Sequence, residues 1–352
     1  MGNNQQKLNQ PLYELQDSSS FKMKYPSYSI AINQSGSLIL TNVFSTILII
    51  GYNGKSFKSL SSVKKHESSI SVLKFFNLRE QFISGSSDFS IIIWPTILGT
   101  TTKYIQKLQG HRGMITCLTI HPLNEDLIIS GDYESTIKFW SIQKSLNKQQ
   151  SSLQWICIQE IIELKSSVCS ISINEIGNQV ISCDRNSLIL VIEKSINTNN
   201  WFVKQKIDVE SLEGAGVSFL KDDRFIFQSS RESTLNLYVL QQEGKYNKIQ
   251  QVQLKKYKDD IQIRQTLLYK NKQNILTIKK GEKLFIIRIE DQNNSNKNNT
   301  NNDQLILKYV QKIDFKTWFF YQALSDNGQY LVTKENESKQ MKMWNLKKEF
   351  EL

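Results

Sequence analysis

The sequence predicts an all-β fold in which four-stranded antiparallel units repeat around a closed ring, and three observations predict it. Short alternating apolar segments, each bounded by Gly, Asn, Asp or Ser, recur along the chain. Two of the longer stretches match one another nearly position for position. The third observation is compositional: 352 residues, 39% hydrophobic and 22% charged, supply a sizeable core. The longest apolar stretch, Leu38 to Ile50, is broken by Thr41, Asn42, Ser45 and Thr46 and falls short of the roughly 18 residues of a membrane helix. Length alone suggests two domains, yet all-β rings of this size commonly form one.

The repeat is clearest where His66-Glu67-Ser68-Ser69-Ile70 leads to Ser84-Gly85-Ser86-Ser87-Asp88 and on to Trp94. Gly110-His111-Arg112-Gly113-Met114-Ile115 leads likewise to Ser130-Gly131-Asp132-Tyr133-Glu134 and Trp140. The distance from Trp94 to Trp140 is close to the roughly 40–45 residues of one propeller blade. With their His opening, Ser-Gly turn and closing Trp, these units resemble the WD-repeat β-propeller family. The resemblance implies a buried hydrogen-bond chain in each blade, here His66, Ser84, Asp88 and Trp94, whose members satisfy one another. In the next unit His111, Ser130 and Trp140 recur with Glu134 at the Asp position, so the chain is strained there or Asp132 takes the place of Glu134.

Weaker copies extend the phase in both directions. Tyr28 to Thr41 opens the first unit, Val168 to Ser182 the fourth, and Ala323 to Trp344 the last, with eroded units around Phe225 to Tyr238 and Asn274 to Ile287. Seven units are counted; six or eight follow if one eroded unit is misread. A further alternating segment precedes each unit as the outer strand of the blade before it, for example Tyr104 to Leu108 and Leu307 to Ile313. Leu12 to Gln16 has the same pattern with no blade before it, so it is expected to join the last blade and latch the ring. The tail from Lys347 to Leu352 is the alternative latch. Residues 1–10 are expected to be flexible, residues 11–352 to form the single propeller, and the Asn-rich stretch 292–304 to be a disordered loop within it.

Little in the chain points to catalysis. Two of the three histidines belong to the blade chains, and His121 precedes Pro122 in a turn. No HExxH, CxxC or calcium-loop spacing is present, and Gly214-Ala215-Gly216 is too short for a phosphate loop, so no metal, cofactor or small-molecule substrate is expected. Cys117, Cys157, Cys169 and Cys183 form no CxxC pair and read as thiols in a reducing, cytoplasmic setting. Met1 to Lys7 has no apolar signal region, and Gln6 stands where a lipidated Gly2 would want Ser or Thr.

The resemblance implies a non-catalytic scaffold that presents a rigid surface to other proteins within an intracellular complex. Carrying the family's partner-contact positions onto this sequence gives Tyr28, Met114, Tyr133, Arg231, Arg264, Lys280, Trp318 and Phe320. Arg264, Lys280, Trp318, Phe320 and Tyr28 fall in the sixth, seventh and first units, neighbours in the closed ring. They are expected to form an aromatic and basic patch for an acidic or aromatic peptide segment. The competing placement of Trp318 and Phe320 is between the blades, as core. The net charge of +11 keeps a second class in play, a nucleic-acid or ribonucleoprotein component that uses its basic surface.

Overall fold

Runs of Ile, Val, Leu and Phe at alternate positions form strands because branched side chains pack well on a pleated, half-buried surface. Among the described residues the strands form seven four-stranded sheets, six of them from four consecutive strands. The computed structural model describes residues 12–96, 103–144, 153–186, 188–209, 214–229, 234–254, 267–291 and 305–347. The expected flexible N-terminus, 1–10, and the expected loop, 292–304, lie outside them. In the first blade Ile30–Ile32, Leu38–Val43, Thr46–Tyr52 and Phe57–Lys64 lie side by side in chain order, and the next five blades repeat this meander.

The last sheet breaks the rule in a way that closes the ring. Phe320–Leu324, Tyr330–Glu335 and Gln340–Leu346 supply three strands, and Tyr13–Lys22 from the other end of the chain supplies the outermost. Tyr13 pairs with Leu346 and Leu15 with Trp344, so the N-terminal segment is the latch. It covers an edge whose backbone groups would otherwise stand unpaired in that sheet.

Seven buried apolar clusters hold the ring, one in each seam between neighbouring blades. The outer strands serve two seams each. A bulge between Phe139 and Trp140 and their partners in Leu153–Ile161 switches the inward side of that strand. Trp155 therefore packs toward the second blade and Ile161 toward the fourth.

Glutamines tie the outer strands together. The Gln106 side chain accepts from the Trp155 N–H and donates to its carbonyl, both at 2.8 Å. Gln159 grips Trp201 in the same way, Gln205 grips Tyr246, and Gln311 grips Tyr13. Each clamp occupies backbone groups on the next blade's outer strand. The last one treats the N-terminal strand as the outer strand of the seventh blade. Among the described residues no helix is long and apolar enough to cross a membrane.

Candidate functional site

Four residues meet in the second blade because strand register sets Ser84 between the opening His and the closing Trp. His66 Nδ1 lies 2.8 Å from Asp88, its Nε2 lies 2.8 Å from Ser84 Oγ, and the Trp94 indole N–H donates to that same oxygen at 2.8 Å. Burial opposes ionisation of Asp88, but hydrogen bonds from His66, Ser90 and the Glu67 backbone hold its carboxyl well below the usual range. In the third blade His111, Ser130 and Trp140 repeat the geometry, at 2.6 Å for His111 to Ser130 and 2.8 Å for Trp140 to Ser130. Glu134 is not part of it. Asp132 binds His111 at 2.7 Å and also accepts the Thr136 N–H, because its place at the strand end brings the shorter carboxylate into line while Glu134 sits exposed in the turn.

Erosion of this chain is graded around the ring. Ser182 keeps the hydroxyl position in the fourth blade, but Leu164 and Ile192 replace its His and Trp, and its Oγ is buried without a partner. Phe227 and Ile278 make the fifth and sixth blades apolar at the same place. In the seventh, Thr333 still receives the Trp344 indole N–H at 2.8 Å.

The residue after that hydroxyl faces the next blade's first inner-strand residue. It is Gly85 in the second blade and Gly131 in the third, where a Cβ would lie 2.6 Å from Ile115 and from Val168. In the sixth, seventh and first blades the position holds Lys279, Lys334 and Asn42, all buried. Lys279 Nζ donates to the Phe320 carbonyl at 2.7 Å and lies 4.6 Å from the centre of its ring. Lys334 donates to Ser27 Oγ and to Asn336, and Asn42 donates to the Ile70 carbonyl at 3.1 Å. Burial lowers Lys279 to about 8 and Lys334 to about 7.

The inner strands surround a channel of about 960 Å³, lined by Ser71, Thr116, Cys117, Cys169 and Tyr321 among others. Where the strands end, Lys270 pairs with Asp326. Burial opposes ionisation of Asp326, yet the charges of Lys270 and Lys74 hold it at about 2. His121 is half-buried against Gly177 of the next blade, and burial lowers its pKa.

The face at which the inner strands begin carries the exposed aromatic side chains Tyr25, Tyr28, Phe44, Phe89, Tyr133 and Phe319, from the seventh blade through the third. Tyr28 meets Tyr321 edge-on at 6.3 Å, and half-buried Trp318 lies 6.2 Å from Phe319. Of the expected partner-contact residues, Tyr28 and Trp318 of the patch and Tyr133 of the third blade lie on this face, with Met114 half-buried beside them. Phe320 does not: it is 0% exposed and stacked on Phe315 at 3.9 Å. Lys280 is 3% exposed as the last residue of Ile275–Lys280. Both corrections are slips of one residue, which in a strand turns a side chain from one face to the other; Tyr321 and Gly281 stand where Phe320 and Lys280 were expected. Arg231 and Arg264 lie outside the described residues.

Sequence reading missed Phe44 and Phe89. Their signal is a large aromatic in a turn between two strands, where Gly, Asn or Asp belongs. It missed the clamps too, whose signal is the recurrence of Gln106-Lys107-Leu108, Gln159-Glu160-Ile161, Gln205-Lys206-Ile207 and Gln311-Lys312-Ile313.

Comparison with known proteins places this geometry. The model of the WD domain, G-beta repeat, matches residues 57–95 and 102–141. Jouberin of Mus musculus is 21% identical over 44% of this chain and 15% of its own length. The WD repeat-containing protein 26 homolog of Arabidopsis thaliana is 27% identical over 34% of this chain and 20% of its own. The intraflagellar transport protein 122 homolog of Homo sapiens is 29% identical over 36% and 10%. The chain thus spans a fifth or less of the length of these relatives. A chain in the crystal structure of the mitotic checkpoint complex superposes with a TM-score of 0.67 over 93% of both chains at 12% identity, a likeness of fold. The two stretches that match the WD repeat thus lie within a β-propeller of seven equivalent four-stranded blades.

Proposed function

We propose that the chain is a non-catalytic scaffold whose inner-strand-start face, from the seventh blade through the third, holds a partner protein. The observation that carries this reading is the placement of Phe44 and Phe89. Both are exposed and both have left-handed backbone, φ 51° and 68°. The corresponding turn takes Ser135 at φ 64° in the third blade and Gly281 at φ 55° in the sixth, so the turn requires the conformation but not a phenylalanine. A non-glycine residue there costs roughly 1–2 kcal/mol. Exposed side chains that cost stability without filling a core serve an external contact. With Tyr25, Tyr28, Tyr133 and Phe319 they give a face rich in the large anchors that dominate binding hot spots. The exposed Lys24, Lys64, Lys65, Arg112, Lys316 and Lys339 around them outnumber the exposed Glu67, Glu134 and Glu337 and favour a segment with acidic as well as aromatic side chains.

A relative named for intraflagellar transport supports an intracellular assembly as the setting. The four free thiols agree with a reducing compartment. The test is affinity purification of the tagged protein from its native cell at two salt concentrations, with and without nuclease, beside the F44G/F89G variant. The expected result is a fixed set of proteins that survives salt and nuclease and is lost with the two phenylalanines, while the variant melts no lower than the parent. Partners retained by the variant would refute the face, and recovery abolished by nuclease would transfer the function to a nucleic-acid component.

A further inference from the structure

We propose that the opposite face of the ring, over the second, third and fourth blades, docks a second protein through a basic amphipathic segment. Each blade joins its first and second strands by a turn on that face. Strand register defines an equivalent tip in all seven, at one offset from the inner-strand residue paired with the hydroxyl position. The tip is Asp222, Lys272, Asn327 and Ser35 in the fifth, sixth, seventh and first blades, the polar residues that exposed turns ordinarily hold. In the three consecutive blades between them it is Leu78, Leu123 and Ile176, exposed by 66%, 63% and 55%. Ile196, 96% exposed in a turn of the fourth blade, lies on the same face. Equivalent aliphatic tips on three successive blades are an ordered arrangement, unlike apolar residues scattered singly over a surface.

The tips are held in place. Glu125 of the third blade is 2% exposed and accepts the Asn77 and Leu78 N–H groups of the second. Asp222 of the fifth accepts the Ile176 N–H of the fourth at 3.1 Å. A surface fixed before binding loses less entropy on complex formation.

Charge selects the occupant. The charged side chains of the three turns are Glu80, Glu125, Asp126, Glu175 and Arg79, and Arg79 lies over the Trp155 ring at 5.9 Å; Lys194 faces His121 at the border. With Glu125 buried, the three turns present three accessible carboxylates, Glu80, Asp126 and Glu175, against one arginine, and Lys103 and Lys194 stand at the border. This arrangement complements lysine and arginine beside aliphatic residues and repels an anionic lipid surface.

The surface is distinct from the aromatic face, so the two readings fail separately. The probe is a labelled synthetic peptide of leucine and lysine with one apolar helical face, titrated into the full chain by fluorescence anisotropy, against a counterpart with glutamate for lysine. The expected result is binding of the lysine peptide alone, about tenfold or more weaker in L78S/L123S/I176S and unchanged in F44G/F89G. Hydrogen exchange should slow at residues 76–80, 121–126 and 174–178. Equal binding by the triple variant, or equal binding of both peptides, would overturn the proposal. So would self-association in sedimentation, or binding to phosphatidylserine vesicles, that the triple variant abolishes. An E80Q/D126N/E175Q variant that binds the lysine peptide as tightly as the parent would remove its electrostatic part.

Discussion

Asp132 and Glu134 stand two residues apart in one turn, and their unequal roles rest on reach. Asp132 closes the blade chain by binding His111 and the Thr136 N–H, whereas the exposed Glu134 carboxylate takes no part. D132A leaves a buried imidazole and a buried N–H without their acceptor and should cost about 1–3 kcal/mol. E134A should change stability by no more than about 0.5 kcal/mol. Urea unfolding of the two variants measures the difference, and equal losses would return Glu134 to the chain. Burial opposes ionisation of Asp132, but the hydrogen bonds from His111 and Thr136 prevail and keep its carboxyl below the ordinary value. Its contribution is therefore present above the unfolded carboxylate's pKa and lost as pH falls through the lower folded one.

At the scale of the element, one strand position decides what kind of seam two blades share. Gly85 and Gly131 let Ile115 and Val168 approach closely, so G131A must displace a core side chain and should cost about 1–3 kcal/mol in chemical denaturation. Lys334 fills the equivalent space with an ammonium that burial lowers from 10.5 to about 7. Between those values the unfolded chain binds the extra proton, so this group makes stability rise with pH across that window. K334M should melt higher than the parent at pH 6, with the advantage shrinking toward pH 10; a difference independent of pH would refute the buried cation. The glutamine clamps are element-scale devices as well. Q205A removes both side-chain bonds to the Tyr246 backbone and should accelerate hydrogen exchange at Tyr246 while leaving Trp201, gripped by Gln159, protected.

Closure belongs to the whole molecule, because seven seams support one another only if the last blade is complete. Tyr13 is buried, gripped by Gln311, and its hydroxyl donates to the Gly328 carbonyl, which anchors Tyr13–Lys22 at several independent points. Removing residues 1–22 exposes the edge of Gln340–Leu346 and its unpaired backbone groups. The truncated chain should melt at a lower temperature and associate in a concentration-dependent way, measured by calorimetry and sedimentation. A monomer of parental stability would show that the latch is dispensable.

The sequence by itself determined the strand meander and the His, Ser and Trp of the two intact hydrogen-bond chains, and it counted seven blades while leaving six or eight open. Residue type and spacing specify these directly: alternation makes strands, and His, Ser and Trp at fixed offsets must meet once the strands pair. It also marked the N-terminal latch, as an alternating segment with no blade of its own. What escaped were quantities that depend on a single residue of register in the eroded units, as Phe320 and Lys280 show. Only the tertiary structure decided which carboxylate binds His111, which seams hold lysine, and which turn tips gather on one face. Neighbouring blades bring together residues some forty to fifty positions apart, and a one-residue shift in a strand exchanges core for solvent.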